Sequence, residues 1–398
     1  MRIVIAPDKF KGSLSAPDVA RHLETGLQAA AGGSLDITMI PVADGGEGTL
    51  DAAVGSGFTR RSTMVAGPDG RPVHAEFAVR GHEAVIEMAS ASGLDRLPAT
   101  SLVNGKPGST AALTSTSLGT GQLIRSALDA GRRHITLGVG GSANTDGGAG
   151  LLQGLGARFL DANGDELPLG GAALARLDRI DFSGLDVRLD EARFVLASDV
   201  DNSLLGAEGA AAVFGPQKGA NPADVAVLDA ALSRFVEVLA TEFGPAGPEN
   251  RAYRAANAPG AGAAGGVGFA AIAILAATRR PGIDVVLDFT RLAERLDGAD
   301  LVITGEGSLD EQSLLGKTPM GVARAAAAAG VPVIAVCGRT TLSRGQLEES
   351  GFRSVHALTD LESNIEVCIA EAGRLLEELG QQIGVNLVAA EPKESLNV

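Results

Sequence analysis

The sequence predicts an α/β fold of two domains, in which a doubly wound parallel sheet is interrupted by an inserted α+β domain with a mixed sheet. Three observations predict it. The chain has 398 residues, which is enough for two hydrophobic cores. Both ends of the chain alternate apolar strands with helical patterns, as parallel sheets covered on both faces do. The middle contains short strands whose apolar residues alternate, as they do in antiparallel sheets.

The first 57 residues read as a βαβ unit. The segment "RIVIAP" is an apolar run of strand length, and "SAPD" at 15–18 places a Ser cap three residues before an acid at a helix start. Apolar residues from Val19 to Ala30 then keep helical spacing, and "DITMIPV" reads as a second buried strand. Buried strands joined by a helix are typical of a parallel sheet.

The character of the sequence changes after about Gly57. Three strand-like runs follow, separated by "GPDG" and "RGH" turn segments, and apolar residues alternate from Val73 to Val79. Such a meander does not fit inside a doubly wound parallel sheet, so it indicates a different domain. Mixed helices and strands continue through the middle of the chain.

The parallel pattern returns from about Asp284. "ADLVITGEG", "VPVIAVCG" and "FRSVHALT" read as strands, with "GVARAAAAAG" and "IEVCIAEAGRLLEEL" as helices. We therefore predict a parallel α/β domain at 1–58 and 285–385, an inserted domain at 59–284 and a flexible tail at 386–398. Ligands of such folds bind at the carboxyl ends of strands, and we expect the ligand in a cleft between the two domains.

Composition limits the function classes. A formal net charge of −15 argues against nucleic acid or a membrane surface as partner, because both attract basic patches. The two cysteines, Cys337 and Cys368, are too few for a disulfide framework and fit a reducing compartment. No apolar run approaches a membrane span, and the chain starts directly with a strand instead of a basic-then-apolar leader. We expect a cytoplasmic protein.

Glycines and acids recur together at the carboxyl ends of predicted strands. The clusters are "APDKFKGS" at 6–13, "VADGGEGT" at 42–49, "GGSANTDGG" at 140–148, "ASDVDN" at 197–202 and "ITGEGSLDEQ" at 303–312. Glycine lets backbone N–H groups approach phosphate oxygens, and carboxylates hold Mg²⁺ or accept a proton from a hydroxyl. Together they predict phosphoryl transfer, although a glycine-rich segment alone could equally hold a nucleotide without chemistry.

Other catalytic signatures fail on spacing or context. "LLGKT" at 314–318 ends like a P-loop, but that motif requires Gly at the position of Glu311. "GVGGSA" at 138–143 fits a dinucleotide pattern only weakly and is followed by Asp146. No G-x-S-x-G elbow occurs, and the five histidines do not cluster in the sequence. A carboxylate is therefore the expected base.

Six segments in order resemble the type-1 glycerate kinase family. They are "IAPDKFKGSLSA", "PVADGGEGT", "GVGGSANTDGGAGLLQGLGA", "VFGPQKGA", "GAGAAGGVGF" and "DLVITGEGSLDEQSLLGK". The resemblance runs from Met1 to about Gly380. It implies a flavodoxin-like domain holding a second α/β domain, and transfer of the ATP γ-phosphoryl group to D-glycerate, with Mg²⁺, to give 2-phosphoglycerate and ADP.

The sequence departs from the family pattern at three places, one of which is Ser198, where the family often has Cys. Asn144 and Thr145 stand in exchanged order within the glycine-rich segment. Ser308 occupies a position where the family often has Arg. If that Arg stabilises the transferring phosphate, another cation such as Lys317 or Arg339 must take its place here.

Candidate roles follow for fourteen residues. We assign catalysis to Asp146, Asp199 and Lys9; nucleotide or phosphate binding to Gly140, Gly141, Ser142, Lys218 and Lys317; substrate binding to Asp8, Lys11, Glu306 and Asp310; and Mg²⁺ binding to Asp44 and Glu47. Helix or turn capping is the alternative for Asp44, Asp199 and Asp310, and a solvated surface position is the alternative for Lys11. Asp146 and Asp199 fit either a base or a metal ligand, and the sequence does not separate these roles.

The sequence leaves two alternative functions open. One is a kinase for another small hydroxy acid, and the other is a catalytically silent regulator that binds a nucleotide or metabolite. The acids retained in every cluster argue against the silent regulator. The expected partners are ATP and a small organic acid, with neither nucleic acid nor membrane. The sequence does not decide between a monomer and a homodimer, between the two hydroxyls of glycerate, or among nucleotides.

Overall fold

The computed structural model describes residues 1–244, 247, 249–314 and 316–390, and the chain divides into two compact units. The first unit comprises Met1–Asp44, Asp51–Gly57 and the chain from Ile283 onward. The second unit comprises Gly45–Leu50 and Phe58–Gly282. The chain therefore enters and leaves the first unit more than once.

The strands and helices are numbered here in chain order. The strands are Arg2–Pro7 (β1), Asp36–Met39 (β2), Thr59–Ala66 (β3), Pro72–Arg80 (β4), Glu83–Glu87 (β5), Leu102–Val103 (β6), Lys106–Pro107 (β7), His134–Gly138 (β8), Arg158–Leu160 (β9), Arg179–Asp181 (β10), Arg193–Ala197 (β11), Thr278–Arg280 (β12), Leu301–Leu309 (β13), Val333–Thr340 (β14) and Ser354–Ala357 (β15). The helices are Ala16–Ala31 (α1), Thr49–Gly55 (α2), Ala89–Ser92 (α3), Ser109–Thr114 (α4), Leu118–Asp129 (α5), Ala149–Gly154 (α6), Ala210–Phe214 (α7), Pro222–Glu242 (α8), Arg251–Ala256 (α9), Ala263–Ala273 (α10), Gly282–Thr290 (α11), Leu292–Leu296 (α12), Glu311–Leu314 (α13), Thr318–Ala328 (α14), Arg344–Glu349 (α15), Ile365–Ala370 (α16) and Ala372–Ala390 (α17).

The sheet of the first unit is parallel throughout. Its order is β15-β14-β13-β1-β2, so β1 lies between the strand that follows it in the chain and the strands that return much later. Counted within this unit, the order is 2-1-3-4-5, which is the flavodoxin-like doubly wound order. The predicted fold of this unit is confirmed. Its strand order reverses between β1 and β13, and ligands of such sheets bind at that point.

Helix α1 forms where the sequence predicts it. The Ser15 side chain accepts a hydrogen bond from the Asp18 N–H, and Val19, Leu23 and Leu27 are buried against the sheet. At Gly26, the backbone of α17 lies so close that a Cβ atom would be 2.9 Å from the Gln381 nitrogen. Glycine therefore permits the close packing of α1 on the closing helix.

The closing helix is longer than the sequence predicts. It runs to Ala390, so residues 386–390, which we placed in a flexible tail, are helical. The reason is that Ile383 is buried in the core of this unit and Leu387 packs against it, which extends the apolar face of the helix. Residues 391–398 of the predicted tail lie outside the described residues.

The second unit contains the predicted mixed sheet. Its order is β12-β11-β8-β5-β4-β3, with antiparallel pairing of β3 with β4 and β4 with β5, and parallel pairing elsewhere. The mixed-sheet prediction is confirmed. Glu87, Gly138 and Ala197 are in register across β5, β8 and β11, so the carboxyl ends of these strands share one edge of the sheet.

Three aromatic rings pack against one another in the core of the second unit. Phe235 of α8 makes edge-to-face contacts with Phe159 and Phe269 at centroid distances of 5.3 and 5.4 Å. All three side chains are fully buried. Within the described residues, no helix is both long enough and apolar enough to cross a membrane.

Candidate active site

The carboxyl edge of the first sheet carries two carboxylates at its switch point. Asp8 follows β1 directly, and Glu306 lies in β13, the neighbouring strand. Pro7 is in register with Gly305, and the Asp8 N–H donates to the Gly305 carbonyl at 2.7 Å. Parallel pairing therefore brings two acids separated by almost 300 residues in sequence to adjacent strand ends.

Asp8 is almost completely buried. The Thr318 hydroxyl, at the start of α14, donates to Asp8 Oδ2 at 2.7 Å, and the Lys9 N–H donates to Oδ1 at 2.7 Å. Burial, followed by the charge of Asp44, raises the pKa of Asp8 to about 7 despite these hydrogen bonds. This carboxyl group can therefore exchange a proton near neutral pH.

Glu306 is partly buried and has an unusual hydrogen-bonding state. Among the described residues, no donor pairs with its buried Oε1 atom. Burial raises the pKa of Glu306 to about 7, with a further increase from the charge of Asp8, while a hydrogen bond from Ser313 opposes the shift. A buried oxygen without a partner is costly in a protein interior, and such atoms occur where a ligand or proton is received.

Asp310 caps a helix. Its Oδ1 atom accepts hydrogen bonds from the N–H groups of Gln312 and Ser313 at 2.9 and 3.2 Å, at the start of α13. The capping alternative is therefore the one the geometry favours for this residue. The substrate contact assigned to Asp310 stays a prediction.

Replacing Asp310 with Ala is expected to remove this cap and to lower the free energy of unfolding by about 1 kcal/mol, the usual effect of losing an Asp cap. Turnover should stay within a few-fold of wild type. Urea denaturation and steady-state kinetics measure the two quantities. A large loss of turnover with unchanged stability would return Asp310 to the substrate-binding group.

Cations surround this edge of the first sheet. Lys9 is partly buried and Lys11 is exposed, while the Lys317 amine donates to Gln312 Oε1 at 3.2 Å. Ser308 is in register with Arg339 of β14, and Arg339 Nε donates to Ser308 Oγ at 3.4 Å. A guanidinium group therefore lies directly beside the position where the family often has Arg.

The glycine loop, residues 139–148, follows β8 in the second unit. Most of its glycines, and Gly138 before it, are explained by contact with other parts of the same unit. A Cβ atom on Gly140 would lie 2.6 Å from the Gly46 Cα atom, and one on Gly148 (φ +81°) would lie 2.5 Å from the Ala270 Cβ atom. We predicted that these glycines serve the approach of phosphate, but close packing of protein backbone already requires glycine at these two positions.

The turn at Gly140–Ser142 presents a different feature. The Gly141 carbonyl accepts from the Leu94 N–H, and the Ala143 N–H donates to Ser92, both at 2.9 Å. No described residue accepts a hydrogen bond from the N–H groups of Gly140, Gly141 or Ser142. Gly141 is exposed and has φ +72°. Successive unpaired N–H groups in such a turn form an anion-binding concavity.

Asp146 is completely buried at the other end of the loop. Its carboxylate accepts hydrogen bonds from Ser117 (N–H and hydroxyl), Thr116, Asn144, Gly148 and Gly150. Two oxygens offer about four lone-pair directions, and these donors occupy them. The geometry therefore favours Asp146 as the group that folds the glycine loop, and its assignment as base or metal ligand stays a prediction.

Lys218 lies at the end of a short turn after α7 and is 2% exposed. Its Nζ atom donates to Ser142 Oγ at 2.9 Å and to the Asn144 carbonyl at 2.6 Å. Burial lowers the pKa of Lys218 to about 7, while the charge of Asp146 opposes the shift. The amine contacts the glycine loop from the interior of the unit.

The remaining predicted residues lie in two places. Asp44 belongs to the first unit, where its charge acts on Asp8, whereas Glu47 is exposed and belongs to the second unit. Asp199 follows β11, and its Oδ1 atom accepts from the Gly282 N–H at 2.7 Å. Within the described chain, no group of three or more His, Cys, Asp or Glu side chains is placed to share one metal ion.

Three polar residues of the site escaped the sequence analysis. Thr318 and Ser117 hold Asp8 and Asp146, and Glu87 accepts from the N–H groups of Gly48 and Leu50 at 3.2 and 3.1 Å. The position of Glu87 at a strand end could have indicated it. No glycine accompanies it, however, so it does not belong to a glycine-and-acid cluster.

The chain is similar to several known proteins. A profile of the glycerate kinase family matches residues 3–388. Glycerate kinase of Bacillus subtilis (strain 168) is 41% identical over 393 residues, covering 98% of each chain, and glycerate 2-kinase of Escherichia coli (strain K12) is 42% identical over 361 residues, covering 90% of each. A crystal structure described as glycerate kinase 2 from Salmonella typhimurium LT2 has a TM-score of 0.81 at 41% identity and 98% coverage of both chains.

The fold and these relatives agree on the class of protein to which the chain belongs. Its two α/β units and the matching relatives define an enzyme of the kinase class. The chain belongs to the glycerate kinase family. The resemblance stated from the sequence is confirmed.

Proposed function

We propose that the protein transfers the γ-phosphoryl group of ATP to the C2 hydroxyl of D-glycerate, giving 2-phosphoglycerate and ADP, with Mg²⁺ as cofactor. One structural observation carries the proposal. Three successive N–H groups, at Gly140, Gly141 and Ser142, lack an acceptor among the described residues and follow a parallel strand. Family membership and the name of the Escherichia coli relative support glycerate and its C2 hydroxyl as the acceptor.

The glycine loop is the proposed nucleotide-phosphate site. Its unpaired N–H groups supply donors without charge, and the loop conformation is fixed before any ligand arrives. Positioning and stabilisation of negative charge account for most of the catalysis in phosphoryl transfer. A rigid loop of this kind supplies both.

A carboxylate of the first unit is the proposed general base. Glu306 has a free buried oxygen and a pKa raised by burial to about 7, so it can take a proton near neutral pH. In the proposed step, the C2 hydroxyl oxygen forms a bond to the γ-phosphorus, and the bond between that phosphorus and the β–γ bridging oxygen breaks. The hydroxyl proton passes to the Glu306 carboxylate, and ADP leaves with the bond electrons.

The donor set of the first unit also fits Mg²⁺. Asp8 and Asp44 both carry oxygen donors in the first unit, and the charge of Asp44 acts on Asp8. Mg²⁺ binds through one or two carboxylates together with substrate phosphates and water, so a complete protein cage is not required. We propose Asp44 and Asp8 as its protein ligands. When bound, the ion neutralises charge that develops on the phosphate oxygens.

Removing Mg²⁺ is expected to abolish turnover. ADP release is measured by a coupled assay with ATP and D-glycerate, before and after treatment with EDTA and again after addition of excess Mg²⁺. We expect release that requires both glycerate and Mg²⁺. Release with another small hydroxy acid but not with D-glycerate would change the substrate. ATP binding without turnover on any hydroxy acid would support a silent regulator and overturn the proposal.

A further inference from the structure

Lys218 contacts the glycine loop and is almost completely shielded from solvent. Its side chain is 2% exposed, and Nζ donates hydrogen bonds to the Ser142 hydroxyl and the Asn144 carbonyl, both of which belong to the loop. A side chain this buried does not reach a ligand in solution. Any effect of Lys218 on a bound phosphate must therefore pass through the loop.

The two contacts lie next to the exposed part of the loop. Ser142 supplies the last of the three unpaired N–H groups, while its hydroxyl accepts from Lys218. The Asn144 carbonyl is held by Lys218, and the Asn144 side chain donates to Asp146 Oδ1 at 2.8 Å. Lys218 thus connects the unpaired turn to the buried network around Asp146.

The backbone that carries Lys218 is itself fixed. The next residue, Gly219, has φ +97°, and a Cβ atom there would lie 2.6 Å from the Pro107 carbonyl carbon. The lysine is therefore presented from a turn that is pressed against another segment of the second unit. Because this turn is fixed, the position of the Lys218 side chain relative to the loop is fixed as well.

Burial of an amine is expensive for stability. Burial lowers the pKa of Lys218 to about 7, and the Asp146 charge only partly offsets this. A neutral amine still has two N–H groups, enough for both contacts, so the contacts do not depend on the charge. An apolar side chain of similar size would avoid the desolvation cost altogether.

We propose that Lys218 is a positioning residue, which holds Ser142 and Asn144 so that the N–H groups of Gly140, Gly141 and Ser142 keep the arrangement that binds nucleotide phosphate. This inference rests on the proposed function. It differs from the direct phosphate contact that the sequence suggested for Lys218. The proposal also predicts different effects on binding and on stability. Burying Lys218 lowers the stability of the protein, whereas its contacts with the loop favour phosphate binding.

The test compares Lys218→Met with Lys106→Met. Methionine keeps most of the apolar stem and removes the N–H donors, and Lys106 is an exposed lysine of the same unit, so both variants lose one basic residue. Calorimetric titration with ATP and steady-state kinetics give Kd and KM. For Lys218→Met we expect the Kd and KM for ATP to rise by about 10- to 100-fold, as a displaced binding group predicts. The KM for glycerate should change no more than it does in Lys106→Met. The melting temperature of Lys218→Met should be no lower than that of Lys106→Met.

A second variant distinguishes positioning from direct contact. Ser142→Ala removes the hydroxyl through which Lys218 acts, and the double variant should bind ATP no more weakly than Lys218→Met alone. Additive losses, an unchanged Kd for ATP, or a lowered melting temperature with parallel loss of both substrates would each overturn the proposal. Turnover of the wild-type protein tests the proposed function separately. If the wild type binds ATP but does not phosphorylate glycerate, the proposed function is wrong. The comparison of Kd values for ATP still tests the role of Lys218 in that case.

Discussion

Replacing Glu306 with Gln is expected to lower kcat for glycerate phosphorylation by about 100- to 10,000-fold, the usual contribution of a positioned general base. Glutamine keeps the shape of the side chain but does not accept a proton at its carbonyl oxygen. Because burial raises the pKa of Glu306 to about 7, wild-type kcat/KM should fall as the pH decreases below about 7. Residual activity of the variant should lack this dependence. Steady-state kinetics between pH 5 and 9 measure both effects.

Glu306→Gln is also expected to gain stability relative to wild type as the pH rises. The pKa of Glu306 is raised from 4.5 to about 7 in the folded protein, so the folded state binds this proton more tightly than the unfolded chain. The stabilisation is fully present below about pH 4.5 and is lost as the pH rises through 7. The amide does not titrate, so the melting temperature of Glu306→Gln relative to wild type should increase between pH 5 and pH 8.

The neighbouring Glu311→Gln variant is the matched control for Glu306→Gln. It makes the same change of carboxylate to amide in the same segment, but at an exposed residue of α13. It should keep turnover within a few-fold of wild type. Wild-type kcat in Glu306→Gln, or equal losses in both variants, would remove Glu306 from the mechanism.

Replacing Asp146 with Asn is expected to lower the free energy of unfolding by about 3–5 kcal/mol, the range for removing one member of a buried charged network. The carboxylate is completely buried and accepts from donors of Ser117, Gly148 and Gly150, among others. An amide nitrogen in place of one oxygen would face those donors without accepting from them. Chemical denaturation measures the loss.

Asp190→Asn is the control for Asp146→Asn, since Asp190 is an exposed acid in the same unit. Its stability should stay within about 0.5 kcal/mol of wild type. A normal melting temperature for Asp146→Asn, together with lost turnover, would contradict the structural assignment. That result would restore Asp146 as the base that the sequence suggested.

The fold was predictable because its signals are local and periodic. Apolar runs marked β1 and β13, alternation from Val73 to Val79 marked β4, and a Ser cap marked α1. The parallel style at both ends of the chain indicated one sheet made from distant segments. The end of α17 was missed because Ile383 and Leu387 continue an apolar face through a polar segment.

The site was predictable only in part, because strand ends are readable from sequence and hydrogen-bond partners are not. The strand-end rule located Asp8, Glu306 and the glycine loop. It gave no means of knowing that six donor groups converge on Asp146, or that Lys218 is buried beneath Ser142. Both facts depend on which segments fold against each other, and they change what these residues are expected to do.

The glycines show the same limit. Six glycines between 138 and 150 suggested close approach of a ligand. Gly140 and Gly148 instead lie against the protein itself, and the feature that suits phosphate is the unpaired N–H groups of the Gly140–Ser142 turn. Composition indicated an unusual backbone correctly, but only the structure separates packing from binding.

Proton-coupled ³¹P NMR of the product formed from Mg-ATP and D-glycerate tests the central claim most directly. Phosphate on C2 is attached to a carbon with one hydrogen, so its signal should be a doublet, whereas phosphate on C3 is attached to a CH₂ group and should give a triplet. The proposed function predicts a glycerate-dependent doublet that grows as the γ-phosphate signal of ATP declines. A triplet would contradict the choice of hydroxyl, and loss of ATP signal to inorganic phosphate alone would contradict transfer to glycerate.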